Sequence, residues 1–165
     1  MSNWKVLMKH GALIFILLFS AICNASASVV IPTRTGYVND YANFFSAVED
    51  KKIEGILSSF SQKTGNEIVV ATVESLRGEA LENYSLSFAN QWGIGGKDSR
   101  GVLLFFSKND KKIRIEVGLG LEKILTNDRC QQIIKDEIVP AFRRGDFDQG
   151  VASAVSAIIQ ILQQA

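Results

Sequence analysis

Gly93-Ile94-Gly95-Gly96-Lys97-Asp98-Ser99-Arg100-Gly101 leads into the apolar run Val102 to Phe106, and a second strand-like segment ends at Gly118-Leu119-Gly120-Leu121-Glu122 and Thr126-Asn127-Asp128. Val102 to Phe106 has the length of a buried strand. Ile113, Ile115 and Val117 alternate with Lys112, Arg114 and Glu116, the period-2 pattern of a strand with one buried face. Only Ser107 to Lys111 separates the two runs. A parallel return needs a crossover of about a dozen residues or more, so the pair is expected to be an antiparallel hairpin. In a hairpin the start of the first strand lies beside the end of the second. The loop Gly93 to Gly101 and the loop Gly118 to Asp128 should therefore emerge at one edge, where Asp98, Glu122 and Asp128 become candidates to converge. The glycines of both loops permit tight turns or close backbone approach.

Working outward, Ile68 to Val73 is a β-branched, nearly continuous apolar run, as expected of a strand covered on both faces. Leu81, Tyr84, Phe88 and Trp92 recur at helical spacing. Strand, helix and strand from Ile68 to Phe106 form a unit long enough for a right-handed parallel crossover. Upstream, Ser46 with Glu49 gives a capping-box signature before the stripe Ile53, Ile56, Leu57 and Phe60, which is expected to end near Gly65. Ile31 to Tyr41, with Pro32, Gly36 and Asn39-Asp40, has no helical period and reads as an extended arm lying across the domain.

Downstream, Asp128 or Asn127 can cap a helix whose Cys130, Ile133, Ile134 and Ile138 point one way. Pro140 and Gly145 interrupt it. Asp146 or Asp148 then opens a last helix with Val151, Ala154, Val155, Ile158, Ile159 and Leu162 on one face. That helix is apolar but carries few cations, so packing on the sheet is preferred to lying on a membrane. Helices flanking mostly buried strands predict a three-layer α/β/α sandwich around a small mixed sheet, with a βαβ unit and an antiparallel hairpin.

The N-terminus carries Lys5, Lys9 and His10, an apolar stretch from Gly11 to Cys23, and Ala25-Ser26-Ala27. This is a signal-peptide pattern, too short for a comfortable membrane span, with the cut placed after Ala27. The expectation is a signal peptide at 1–27 and one domain at 28–165, exported to the periplasm or the extracellular space. Of 18 basic residues the signal removes two, which leaves 16 against 17 acidic ones, a net charge of −1. That balance gives no reason to expect nucleic acid as a partner. The only histidine, His10, is also lost. Catalytic triads, Cys-His pairs and imidazole zinc sites are thereby excluded from the mature chain, and Cys130 alone cannot form an intramolecular disulfide.

Several linked motifs resemble one known family. Gly36-Tyr37-Val38-Asn39-Asp40-Tyr41-Ala42, Trp92-Gly93-Ile94-Gly95, Asp98-Ser99-Arg100-Gly101, Arg114 to Glu122, and Phe142-Arg143-Arg144-Gly145-Asp146-Phe147 occur in the order of the TPM domain, from roughly Pro32 to Leu162. The TPM domain is shared by a plant thylakoid-lumen protein, a photosystem II repair protein, a worm membrane modulator and many exported bacterial proteins. The resemblance implies an α/β/α sandwich, an acidic groove that binds divalent cations in some members, and a phosphatase activity attributed to a plant-type member. By position, the family's acidic residues fall on Asp40 and Asp98. Two positions depart from the pattern: Ser99 stands where asparagine is usual, and Asn127 is inserted in a Thr-Asp pair. Many bacterial relatives continue into a transmembrane helix, whereas this sequence stops at Ala165, so the expectation is a form with no intrinsic membrane span after signal cleavage.

Each candidate also has a plainer role. Asp98 can serve its own turn, Asp40 can stabilise the Asn-Asp turn of the arm, Asp128 can cap a helix and Glu122 can be a solvated helix residue. If Asp40 and Asp98 meet, with Glu122 and Asp128 as further members of the site, oxygen-only ligation selects a hard cation. Ca2+, which tolerates irregular shells, is preferred to Mg2+, and zinc and copper fit poorly. Arg114 and Glu116 read as an ion pair, or Arg114 orients a phosphate. The leading functional expectation is a divalent-cation-binding, acidic-groove module that supports envelope or membrane-protein complexes. The alternatives are a metal-assisted acid phosphatase (a phosphomonoesterase) and a metal-free protein-interaction domain.

Overall fold

In the computed structural model, which describes residues 30–164, three strands run parallel and a fourth returns antiparallel, in the order β1-β2-β3-β4. The signal-peptide reading of residues 1–27 lies outside the described residues. The strands are β1 (Val38–Asp40), β2 (Glu67–Val73), β3 (Gly101–Ser107) and β4 (Lys112–Val117). The hairpin forms as the spacing predicts, with Ser107 paired to Lys112 and Val102 to Val117. Helices cover both faces, which is the predicted three-layer sandwich. Among the described residues no helix is long and apolar enough to cross a membrane.

One face of the sheet presents Val38, Ile68, Val70, Val102, Leu104, Phe106 and Ile115. Onto it pack α1 (Ala47–Thr64) through Ile53, Leu57 and Phe60, and α5 (Phe147–Gln163) through Val151, Ala154, Val155 and Ile158. The other face presents Phe105 and takes α2 (Leu81–Gln91), whose Tyr84 and Phe88 rings lie 5.8 Å and 5.2 Å from that of Phe105. Both faces of β2 and β3 are thus excluded from water, which is why these strands read as continuous apolar runs.

Ile31 to Tyr41 is more than an arm. Val38–Asp40 pairs in parallel with Val70 to Thr72 and becomes an edge strand, a role that three residues have too little periodicity to announce. Glu54 of α1 fixes it by accepting the N–H groups of Tyr37 (2.8 Å) and Val38 (2.7 Å). Gly36 is needed there because a Cβ would stand 2.8 Å from the Glu54 carboxylate. Strands β1, β2 and β3 lie side by side in chain order while α1 and α2 cover opposite faces. The two crossovers therefore have opposite hands, and one departs from the usual right-handed rule.

Helix ends follow the sequence with two adjustments. Ser46 Oγ accepts from Glu49 N–H (3.2 Å), but the Ser46 N–H donates to Asp148 of α5 (2.9 Å), so the second half of the expected box is completed from a distant helix. Gly65 ends α1 at φ +70°. The cap of α3 (Asn127–Ile133) is Thr126, whose hydroxyl accepts from Arg129 N–H, rather than Asn127 or Asp128. Pro140 does not break the chain there. It lacks an N–H and crowds the carbonyl four residues back, and the helix widens into a π-helical turn (Ile134–Ile138) before resuming as α4 (Val139–Arg143). Asp146 caps α5 by accepting from Gln149 N–H.

Cys130 of α3 is buried against this core, 5% exposed. Loss of water around it pushes the thiol from its ordinary 9.0 up to about 11, against the opposing pull of Arg114. As pH rises from about 9 to 11 the unfolded chain releases this proton while the folded chain keeps it, so stability falls across that window. Iodoacetamide at pH 8 is expected to label Cys130 slowly in the native protein and rapidly in urea. Equal rates in the two states would contradict this placement.

Candidate functional site

The two glycine-bearing loops do emerge at one edge, and what each approaches is the other. Gly118 N–H donates to the Gly101 carbonyl (2.8 Å) and Gly120 N–H to that of Ser99 (3.0 Å), extending the hairpin ladder into the loops. A Cβ on Gly118 would collide with the Ser99 carbonyl, and one on Gly120 with that of Asp98. The first loop is also tied from below. Gly95 N–H donates to Glu67 (2.6 Å), which pairs with Arg34 (2.7 Å), and Arg100 donates to the Asn66 side chain (2.7 Å). Glu54 and Glu67 were not foreseen as organisers. The signal for Glu67 was its place beside Asn66, two polar residues at the entry to an apolar strand.

The four carboxylates expected to gather do not share one place. Asp40 ends β1, level with Thr72 and Phe106, whereas the Asp98 loop precedes Gly101, level with Glu67. Five residues of strand separate the two levels, about 16 Å at the usual rise per residue. The expected meeting of Asp40 with Asp98 is corrected on that ground: parallel pairing carries the end of β1 away from the start of β3. Asp40 is moreover engaged, accepting from the N–H groups of Phe44 (2.7 Å) and Phe45 (2.9 Å) and from the Thr72 hydroxyl. Asp98 is exposed in a 3-10 turn (Gly96–Asp98), and its carboxylate has no hydrogen-bond partner among the described residues.

Glu122 and Asp128 are brought together. With Arg114, Glu116, Thr126 and Asn127 they line a polar hollow of about 540 Å³ along the outer edge of β4. Arg114 Nε donates to Glu116 (2.6 Å), which also accepts from the buried Ser85 hydroxyl of α2 (2.6 Å), and Glu82 lies 3.8 Å from the same guanidinium. The hydrogen bond to Glu116 raises the Arg114 pKa above its already high ordinary value. Ion pairing, the plainer of its two expected roles, is the one seen. Among the described residues no three His, Cys, Asp or Glu side chains stand close enough to enclose one ion.

Comparison with known proteins bears on the whole domain. The profile of the TPM domain matches residues 38–161. Among solved structures, the N-terminal domain of a protein from P. gingivalis is 31% identical with a TM-score of 0.73, the match covering 79% of this chain and 83% of that one. The BA42 protein of the psychrophilic bacterium Bizionia argentinensis is 21% identical with a TM-score of 0.64, over 73% of this chain and 83% of its own. The N-terminal domain of the cg2496 protein from Corynebacterium glutamicum shares the fold at 12% identity and a TM-score of 0.61, over 79% and 82%. A search of curated proteins returned no match. The order of motifs, the matching profile and the shared fold agree, and the chain belongs to the TPM-domain family.

Proposed function

We propose that this domain is a divalent-cation-binding module of an exported protein, that the ion is held in the hollow beside β4, and that Glu122 and Asp128 are its carboxylate ligands. One observation carries the reading: within the hollow Arg114 is matched by Glu116, so the charge left facing it is that of Glu122 and Asp128. The side-chain oxygens of Thr126 and Asn127 add neutral hard donors, a set that fits Ca2+ or Mg2+ and not a thiophilic metal. Ca2+ is the first to try because its larger, irregular shell accepts neutral oxygens and water. Two carboxylates do not make a closed cage, and the N-terminus of α3 opposes a cation, so affinity belongs in the weak range of extracellular modules, a Kd of about 10⁻⁴–10⁻³ M. Phosphomonoester hydrolysis ranks second, because an Arg114 held by Glu116 and approached by Glu82 is not free to grip a phosphoryl group.

Calorimetric titration with CaCl2 and MgCl2 tests this. Binding is expected in the wild type, loss in the double variant Glu122→Gln/Asp128→Asn, and no change in Asp98→Ala. No heat in the wild type, or heat that survives the double variant, would overturn it.

A further inference from the structure

The opposite end of the sheet carries a second concavity of another chemistry. At the carboxyl ends of β2 and β3, where open sheets with parallel strands commonly bind ligands, Phe44, Phe142 and Phe147 floor a pocket of about 610 Å³, with Phe106 fully buried beneath them. Their rings interlock: Phe147 lies 4.6 Å from Phe44 and 4.9 Å from Phe142, and Phe106 lies 5.6 Å from Phe142. Phe147 nevertheless keeps 37% of its surface exposed.

The fold builds this floor from distant segments. Asp40 fixes the turn that carries Phe44. Gly150 leaves the room for the Phe142 ring that a Cβ, 2.8 Å from it, would take away. The motif running from Phe142 to Phe147 lines this pocket, the one around Asp40 holds Phe44 against it, and neither lines the β4 hollow.

Cations rim the pocket. Lys111 and Lys112 stand on the hairpin and Arg143 on α4, and among the described residues none of the three has a carboxylate within ion-pair distance. The fourth cation, Lys108, is spent on the Ala42 carbonyl (2.6 Å). The acid of the hairpin turn, Asp110, accepts from the Ser107 hydroxyl and the Leu76 N–H and feels the charge of Lys112 without forming an ion pair with it. Lys111 adopts φ +52°, a left-handed conformation that favours glycine. Glycine would relieve the backbone there, and lysine keeps a charge at the rim.

From the aromatic floor and the three unpaired cations we infer that this pocket binds a small amphiphilic anion, an apolar body seated on the phenylalanines with one carboxylate or phosphate head between Lys111, Lys112 and Arg143. The ligand is a free acid or the headgroup and first acyl carbons of an anionic lipid, which share this chemistry. It is independent of any cation at the β4 edge.

Amide chemical shifts measured during titration with octanoate, below its micelle concentration, test the assignment. Saturable shifts are expected at Phe44, Lys112 and Phe147, weakened at least tenfold in Lys111→Gly/Arg143→Gln. That variant keeps the fold, since one change relieves a left-handed lysine and the other removes an exposed, unpaired guanidinium. Phosphatidylglycerol vesicles that perturb the same amides, where phosphatidylcholine vesicles do not, assign the ligand to lipid, and a response to octanoate alone assigns it to a free acid. Absence of saturable shifts in both arms, equal shifts from neutral octanol, or binding untouched by the double variant would overturn the inference.

Discussion

Gly95→Ala is expected to lower the unfolding free energy by about 3 kcal/mol or more, adding a left-handed backbone cost of about 1–2 kcal/mol to an overpacking cost of about 1–3 kcal/mol. Gly95 sits at φ +86°. A Cβ there would strike the Gly101 backbone nitrogen and stand 2.8 Å from the Arg100 nitrogen. Those atoms belong to the start of β3 and to the strap that ties the loop to β2, so no flexible side chain can give way. The Gly95 N–H also anchors the loop to Glu67, and displacing it breaks a charge-assisted hydrogen bond. Gly96 supplies the control. It is left-handed too, at φ +55°, but a Cβ on it meets nothing within 4 Å, so Gly96→Ala should lose only the conformational part, about 1 kcal/mol. Urea denaturation of the two variants separates close approach from backbone conformation. Equal losses would show that the loops do not pack backbone to backbone.

The second large effect concerns Asp40. Its carboxylate accepts from two backbone N–H groups and one hydroxyl, and a hydrogen bond to a charged group contributes about 1.5–3 kcal/mol net of exchange with water, less where the carboxylate is only half-buried as here. Asp40→Ala is therefore expected to cost about 3 kcal/mol, and the full loss should appear in EDTA. Asp40→Asn should cost less, because one acceptor oxygen remains. This pattern assigns Asp40 to the turn that carries Phe44. A ligand role predicts the reverse: little change in EDTA, and loss of a stability increment that only added Ca2+ supplies. Denaturation with and without the ion decides between them.

The contrast between Asp40 and Asp98 shows how sequence reading stops. Each reads as a turn aspartate, Asp98 in a glycine-rich loop and Asp40 in the Asn-Asp turn of the arm, and the family resemblance places the acidic positions on both. Periodicity tells which face of a segment is buried, so Ile68 to Val73, Val102 to Phe106 and the stripes of α1 and α5 were legible. A three-residue strand carries almost no period, and β1 was read as an arm. Once Val38–Asp40 is placed parallel to β2, Asp40 must leave the sheet at the end opposite the Gly93 to Gly101 loop. The aromatic pocket was hidden for a related reason. Phe44, Phe106 and the Phe142–Phe147 pair come from three separate segments, and no local pattern links them.

By itself the sequence determined the antiparallel hairpin, the doubly covered central strands, the stop of α1 at Gly65 and the meeting of two glycine loops at one edge, because short connections and side-chain periodicity are local properties. Tertiary structure alone decided that β1 enters the sheet, that its crossover and the next have opposite hands, and that Glu122 and Asp128 share a hollow from which Asp98 and Asp40 are absent. Those outcomes depend on which neighbour each strand pairs with and in which direction. Pairing is fixed by the total packing of both faces, which no single segment encodes.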